Sequence, residues 1–257
     1  MALKIKRVAV LGAGVMGSGI AAHLAGVGLD TLLLDIVPPE LTAEDEKNGL
    51  TRDHKAFRNK FAASSLKAAT KAKPPVFYNN DDAELIEVGN FDDDMARIAD
   101  CDWIVEAVTE RLDIKQSLFT RVDEHRKPGS LVTSNTSGLS IASMIEGRSE
   151  DFRRHFFVTH FFNPVRFMRL LELVKGEQTD PTAYQAMADF GADVLGKGIV
   201  FGKDTPNFIA NRIGIFGMMY TLHAMVRDGY SLEEVDAVFG PASGRPKSAV
   251  FRTADMV

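Results

Sequence analysis

Residues 7–26 read RVAVLGAGVMGSGIAAHLAG, and the order of residue types in this stretch decides the fold. A β-favouring run, RVAVL (7–11), passes into Gly12-Ala13-Gly14-Val15-Met16-Gly17. An alanine-rich helical stretch, VMGSGIAAHLAGVG (15–28), follows and stops at glycine. Such a glycine pattern is weak evidence alone but much stronger between a strand and a helix, where it cradles a dinucleotide pyrophosphate. Gly12 permits the tight turn, Gly14 lets the backbone approach the phosphates, and Gly17 lets the helix pack closely on the sheet. The N–H groups of the first helical turn, around Val15 and Met16, supply partial positive charge to the anion. The next strand, TLLLD (31–35), ends at Asp35. Its carboxylate suits an adenosine ribose and repels a 2′-phosphate. Ile36 and Val37 follow with no arginine beside them, so the pattern favours NAD over NADP. The competing reading is a glycine-rich turn in some other α/β protein.

Working outward, apolar runs alternate with helical patterns, as in a parallel α/β sheet. Strands are expected at 102–108, 129–135, 156–162, 170–174 and 198–202, and helices at 111–125 and 181–196. After KDTPNF the strands cease, and long helices are expected at 206–228 and 231–239. The predicted class is α/β: a Rossmann-type, largely parallel sheet over 1–204, then the start of an all-helical domain over 205–257. Residues 47–73 stand apart. They carry eight Lys or Arg against one acid, Asp53, on a helical Ala/Phe pattern. This predicts either a solvated helix face or a landing strip for phosphates in an otherwise acidic chain.

The 257 residues suffice for one large domain or two smaller ones. A net charge of −5 argues against a dedicated nucleic-acid binder. The single cysteine, Cys101, excludes an internal disulfide or a multi-cysteine zinc cluster and fits a reducing, cytoplasmic setting. The first apolar run is about five residues, far below the roughly 20 that span a bilayer. No metal site is expected.

Dehydrogenation with a nicotinamide needs a group that moves a proton as the hydride moves, and histidine is suited to it. The stretch VTHFFNPVRFMRLLELVKG places His160 and Glu172 on successive expected strands. A carboxylate beside the imidazole would fix its tautomer and stabilise its charged form. Alone, His160 reads rather as a satisfied core residue, and the NAD fingerprint turns the reading toward chemistry. His23, His54, His125, His155 and His223 read as packing or surface residues.

Together, VLGAGVMGSGIAAHLA, EAVTERLDIKQSLF, SNTSGLSI, HFFNPVRFMRLLELVKG and KDTPNFIANRIG resemble the 3-hydroxyacyl-CoA dehydrogenase family, in order from residue 7 to about 247. The resemblance implies NAD-dependent oxidation of (S)-3-hydroxyacyl-CoA to 3-ketoacyl-CoA, a step of fatty-acid β-oxidation. His160 would be the general base and Glu172 its partner. Ser137 would bind the substrate oxygen, and Asn211 would help hold the reacting groups. Glu110 and Lys115 would lie toward the nicotinamide, and segment 47–73 would match a helical hairpin that contacts coenzyme A. Asn207 stands where relatives often carry glycine. The ending GPASGRPKSAVFRTADMV resembles larger bacterial chains in which this part precedes an enoyl-CoA hydratase, and the family's remaining helices complete a homodimer. The apolar face of 206–228 is then expected to seek those helices, leaving a fragment that binds NAD but turns over poorly. Two other readings are a β-hydroxyacid dehydrogenase, for which no matching lysine motif is present, and an NAD-binding scaffold without turnover.

Overall fold

The computed structural model describes residues 4–245 and 247–254. The chain forms two compact units, Met1–Pro206 and Asn207–Val257. In the first, eight strands make one sheet: β1 (Arg7–Leu11), β2 (Asp30–Asp35), β3 (Ile86–Asn90), β4 (Trp103–Glu106), β5 (Leu131–Ser134), β6 (Phe156–Phe161), β7 (Leu170–Lys175) and β8 (Gly198–Gly202). Their order is β3-β2-β1-β4-β5-β6-β7-β8. All pairs are parallel except β6 with β7, which a short loop joins into an antiparallel pair. The order reverses between β1 and β4, and the crevice past their carboxyl ends is where such sheets bind ligands.

The helices of this unit are α1 (Val15–Gly26), α2 (Ala43–Lys47), α3 (Lys55–Arg58), α4 (Lys60–Ala69), α5 (Phe91–Asp94), α6 (Leu112–His125), α7 (Ile141–Met144), α8 (Glu150–Arg154) and α9 (Pro181–Asp193). Successive strand residues face opposite sides, and across the inner strands both sides are covered, so those strands are apolar almost throughout, whereas β8 at the edge is largely exposed. On one side Val8, Val10, Trp103, Phe157 and Leu173 pack against Ile20 and Leu24 of α1 and Met187 of α9. On the other, Phe119, Phe152 and Phe156 form a triad with ring centroids 5.1–5.7 Å apart. Asp180 caps α9 by accepting from Thr182 and Ala183 N–H, with Pro181 opening the helix.

Strand β3 was not among the expected elements, and the expected strands are shorter in the structure by a residue or two at several ends. The basic segment folds into α3 and α4, broken at Asn59, with Phe57, Ala62 and Ala69 buried. Two of its cations are tied to acids of the same unit. Lys60 pairs with Asp45 at 2.6 Å, and Arg58 makes a two-pronged bond to Asp93 at 2.6 and 2.7 Å. The second unit holds α10 (Ala210–Asp228), α11 (Leu232–Val238) and α12 (Phe251–Ala254). Helix α10 starts four residues later than expected because Asn207 and Phe208 take positive φ, 63° and 43°. That is left-handed backbone, where glycine is the easiest residue and asparagine a tolerated one.

Candidate active site

The glycine turn is built as its spacing requires. Gly12 has φ +101°, and a Cβ there would lie 2.6 Å from the carbonyl oxygen of Ala107. At Gly17 a Cβ would lie 1.8 Å from the Gly12 carbonyl oxygen. Gly14 is the opposite case, with nothing within 4 Å of an added Cβ. The first two glycines let backbone meet backbone, while the third leaves bare space in front of the helix. No side chain caps α1, and its first turn holds no acid, so its N-terminal dipole faces that space.

Beside the turn lies a cavity of about 560 Å³, within the usual range for a small-molecule site. Gly12, Gly14, Asp35 and Ile36 line it, facing Phe91 and Ile114. Asp35 sits at the tip of β2, its Oδ2 accepting the Ala13 N–H at 2.6 Å and its Oδ1 the Ile36 N–H at 2.6 Å. The carboxylate thus stands at the cavity rim with its plane fixed. These residues fit a dinucleotide: tight turn, open phosphate cradle, acidic ribose partner and apolar base slot. Ala107, Val108 and Thr109 after β4 also line it, and the far wall is Phe91, Asp113, Ile114, Ser117, Leu118 and Arg121. Sequence reasoning missed this far wall because it lies on α5 and α6, distant in sequence from the glycines.

His160 and Glu172 meet. Their strands pair in antiparallel register with His160 directly opposite Glu172. The imidazole Nδ1 is 2.8 Å from Glu172 Oε2, and both residues are buried. A buried carboxylate at that distance selects the tautomer with the proton on Nδ1, which leaves Nε2 as an acceptor. Ser137 Oγ stands 3.3 Å from Nε2 and donates to it. Ser137 follows β5 on a turn that Asn135 ties to β6, its Oδ1 accepting the Phe161 N–H at 2.8 Å.

Glu110 lies under the same turn, accepting from the Thr136 hydroxyl and, at 3.0 Å, from the Ser137 N–H. Burial alone would raise its pKa, but Thr136, Lys115 and the Ser137 amide hold it below the ordinary carboxylate range. Lys115 is only 1% exposed, its ammonium 2.6 Å from Glu106 and 3.1 Å from Glu110. It is therefore held inside by two carboxylates and not presented to open space. Glu106, which sequence reasoning passed over, is fully buried at the end of β4. An acid closing an apolar strand was the available signal. Asn211 is the second residue of α10 in the second unit. Val15 is exposed at the opening of α1, with Met16 half-buried behind it.

A second cleft of about 410 Å³ runs between α4 and the opening of α1. Ser65, Ala68 and Ala72 form one wall, and Val15, Ser18 and Pro164 the other.

Sheet order, glycine turn and Asp35 define an NAD-binding domain of the Rossmann type. The family model described as "3-hydroxyacyl-CoA dehydrogenase, NAD binding domain" matches residues 7–205, and the chain belongs to that family. It is 52% identical to a probable 3-hydroxyacyl-CoA dehydrogenase of Bacillus subtilis, over 98% of this chain but 32% of that protein. A probable 3-hydroxyacyl-CoA dehydrogenase of Deinococcus radiodurans is 45% identical over 99% of this chain and 69% of its own length. The chain thus spans about a third of one relative and two thirds of the other. Among solved structures, FadB2 of M. tuberculosis superposes with a TM-score of 0.77 at 26% identity, covering 98% of this chain and 82% of that one. Among the described residues, no helix is long and apolar enough to cross a membrane.

Proposed function

We propose that this chain carries the NAD-dependent interconversion of (S)-3-hydroxyacyl-CoA and 3-ketoacyl-CoA, with His160 as the group that moves the proton. The observation that carries this reading is the line from buried Glu172 and His160 to half-buried Ser137, with His160 Nδ1 on the carboxylate and Nε2 on the hydroxyl. Bound NAD supplies the hydride acceptor for C3 of the substrate. In oxidation, His160 Nε2 takes the proton of the 3-hydroxyl as the C3–H bond breaks and the C3=O bond forms. Glu172 stabilises the imidazolium that results, and Ser137 holds the substrate oxygen in line with Nε2. In reduction the same imidazolium returns the proton. Gly12, Gly14, Val15, Met16 and Gly17 hold the pyrophosphate, and Asp35 holds the adenosine ribose. Glu110 and Lys115 order the nicotinamide side, and Asn211 assists at the substrate.

The cleft beside α4 gives the coenzyme A moiety a wall of small side chains, with the cations of segment 47–73 nearby for its phosphates. In this reading residues 1–204 are the cofactor domain and 205–257 open a helical domain for substrate and dimer contacts. The chain works in fatty-acid β-oxidation in the cytoplasm, as part of a homodimer, fused to or partnered by an enoyl-CoA hydratase. The test is NADH oxidation by this chain with acetoacetyl-CoA, run beside NAD reduction with free 3-hydroxyisobutyrate. Turnover of the thioester alone supports the proposal. Turnover of the free acid alone supports a β-hydroxyacid dehydrogenase, and turnover of neither, with NADH still bound, supports a scaffold.

A further inference from the structure

Glu106 is a costly residue in its place: a carboxylate with no exposed surface, ending an otherwise apolar strand. The geometry shows where that cost is offset. Its Oε1 accepts from Lys115 Nζ at 2.6 Å and from the Val108 N–H at 2.8 Å, and its Oε2 accepts from the Ser134 hydroxyl. Ser134 Oγ in turn accepts the Thr136 N–H at 3.1 Å, and the Glu106 carbonyl accepts the Asn135 N–H at 2.8 Å. Lys115 carries the link onward to Glu110, which holds the Thr136 hydroxyl and the Ser137 N–H. Two routes therefore lead from one buried carboxylate to the turn that carries Ser137. One runs through Ser134, the other through Lys115 and Glu110.

We propose that Glu106 is a positioning residue for proton transfer: a buried anchor that fixes the 134–137 turn so that Ser137 Oγ stays within reach of His160 Nε2. The inference rests on the proposed role of His160, but its geometry can be read in the protein without cofactor or substrate. Glu106 also grips the Val108 N–H, and Ala107 is the residue whose backbone closes over Gly12. One carboxylate thus joins the floor of the phosphate turn to the loop that orients the reacting oxygen. Two acids share one ammonium here, so removing the charge of Glu106 leaves Lys115 to Glu110 alone. The ammonium then draws toward Glu110, which loosens its hold on Thr136 and Ser137.

The experiment compares the parent with Glu106→Gln, an isosteric change that keeps an acceptor for the Val108 N–H. The protein is labelled with ¹⁵N in its histidine rings, and the His160 Nε2 resonance is followed without ligand. Steady-state reduction of acetoacetyl-CoA and NADH affinity are measured beside it. The expected result is a displaced His160 Nε2 resonance and a kcat lower by tenfold or more, with the NADH Kd within about threefold of the parent. An unmoved resonance with unchanged kcat overturns the proposal. So does a loss of NADH affinity equal to the loss in kcat, which would make Glu106 a cofactor-holding group. If Glu106→Gln does not fold, Ser134→Ala decides. It removes the hydroxyl that donates to the Glu106 carboxylate and accepts the Thr136 N–H, and leaves the ion pair intact, and an unmoved His160 resonance in it overturns the proposal. A parent without turnover refutes the proposed reaction but leaves the resonance to judge Glu106.

Discussion

Alanine at Gly14 and alanine at Gly17 add the same methyl group three residues apart, and the structure assigns them opposite consequences. At Gly17 the new Cβ falls 1.8 Å from the Gly12 carbonyl oxygen. Ordinary carbon–oxygen contacts lie at about 3.3–3.6 Å. Helix α1 must therefore retreat from the β1 turn by about 1.5 Å, dragging its packing on the sheet with it. Overpacking of this kind costs about 1–3 kcal/mol, and a backbone obstacle belongs at the upper end. At roughly 2–4 °C per kcal/mol for a chain of this size, Gly17→Ala should lower Tm by about 6 °C or more. At Gly14 nothing lies within 4 Å, and the backbone is extended at φ −62° and ψ −171°, open to any residue. Alanine is a poorer helix cap than glycine but reduces unfolded-chain entropy, so the net change should stay within about 0.5 kcal/mol. Its methyl projects into the space assigned to the pyrophosphate, and NAD affinity should fall by about tenfold or more, about 1.4 kcal/mol. Thermal unfolding and NADH fluorescence titration read the two effects separately. Equal Tm losses in both variants, or parental NADH affinity in Gly14→Ala, would refute the assignment of the phosphate cradle.

Three further outcomes follow from single side chains. Glu172→Gln, which withdraws the charge from His160 Nδ1, should reduce kcat by about 10²-fold or more with little change in NADH Kd; an unchanged kcat would remove Glu172 from the mechanism. Asp35→Ser should weaken NADH binding and narrow its advantage over NADPH, both read by titration, and an unaltered ratio would show that Asp35 does not choose the cofactor. His23 is buried against the Leu195 carbonyl, and burial, reinforced by Lys197, pushes its pKa down to about 4. The unfolded chain therefore takes up a proton near pH 6.5 that the folded chain refuses until about pH 4. Stability contributed by neutral His23 is complete above the higher value and is lost as pH falls, by about 2 kcal/mol between pH 7.5 and 5. His23→Gln should shrink the drop in Tm over that interval, and an equal drop in parent and variant would refute this.

The parts of the fold legible in the sequence are those where one period dominates. RVAVL, TLLLD and FFVTHFF are runs whose neighbours cover both faces, so their pattern is nearly continuous and needs no partner to be recognised. Strand β3 escaped because IEVGN sits at the sheet edge, where Glu87 faces out to pair with Arg7 and Arg97. A polar edge strand of five residues has no apolar period to show. The late start of α10 escaped for a different reason. Its delay comes from positive φ at Asn207 and Phe208, a backbone choice that residue pattern does not report. At the site, His160 and Glu172 were visible as costly residues in apolar runs, and their meeting depended on a register that only strand pairing sets. Lys115 illustrates the limit of resemblance. The resemblance assigned it to the nicotinamide side but gave no sign of its burial between two carboxylates, because one partner, Glu106, reads in sequence only as the last letter of a strand.

The most direct test of the central claim is reduction of acetoacetyl-CoA by NADH, measured for this chain and for His160→Gln together with NADH affinity. A kcat that falls by about 10²-fold or more while NADH still binds is the predicted result. A variant that keeps the parent's turnover would contradict it.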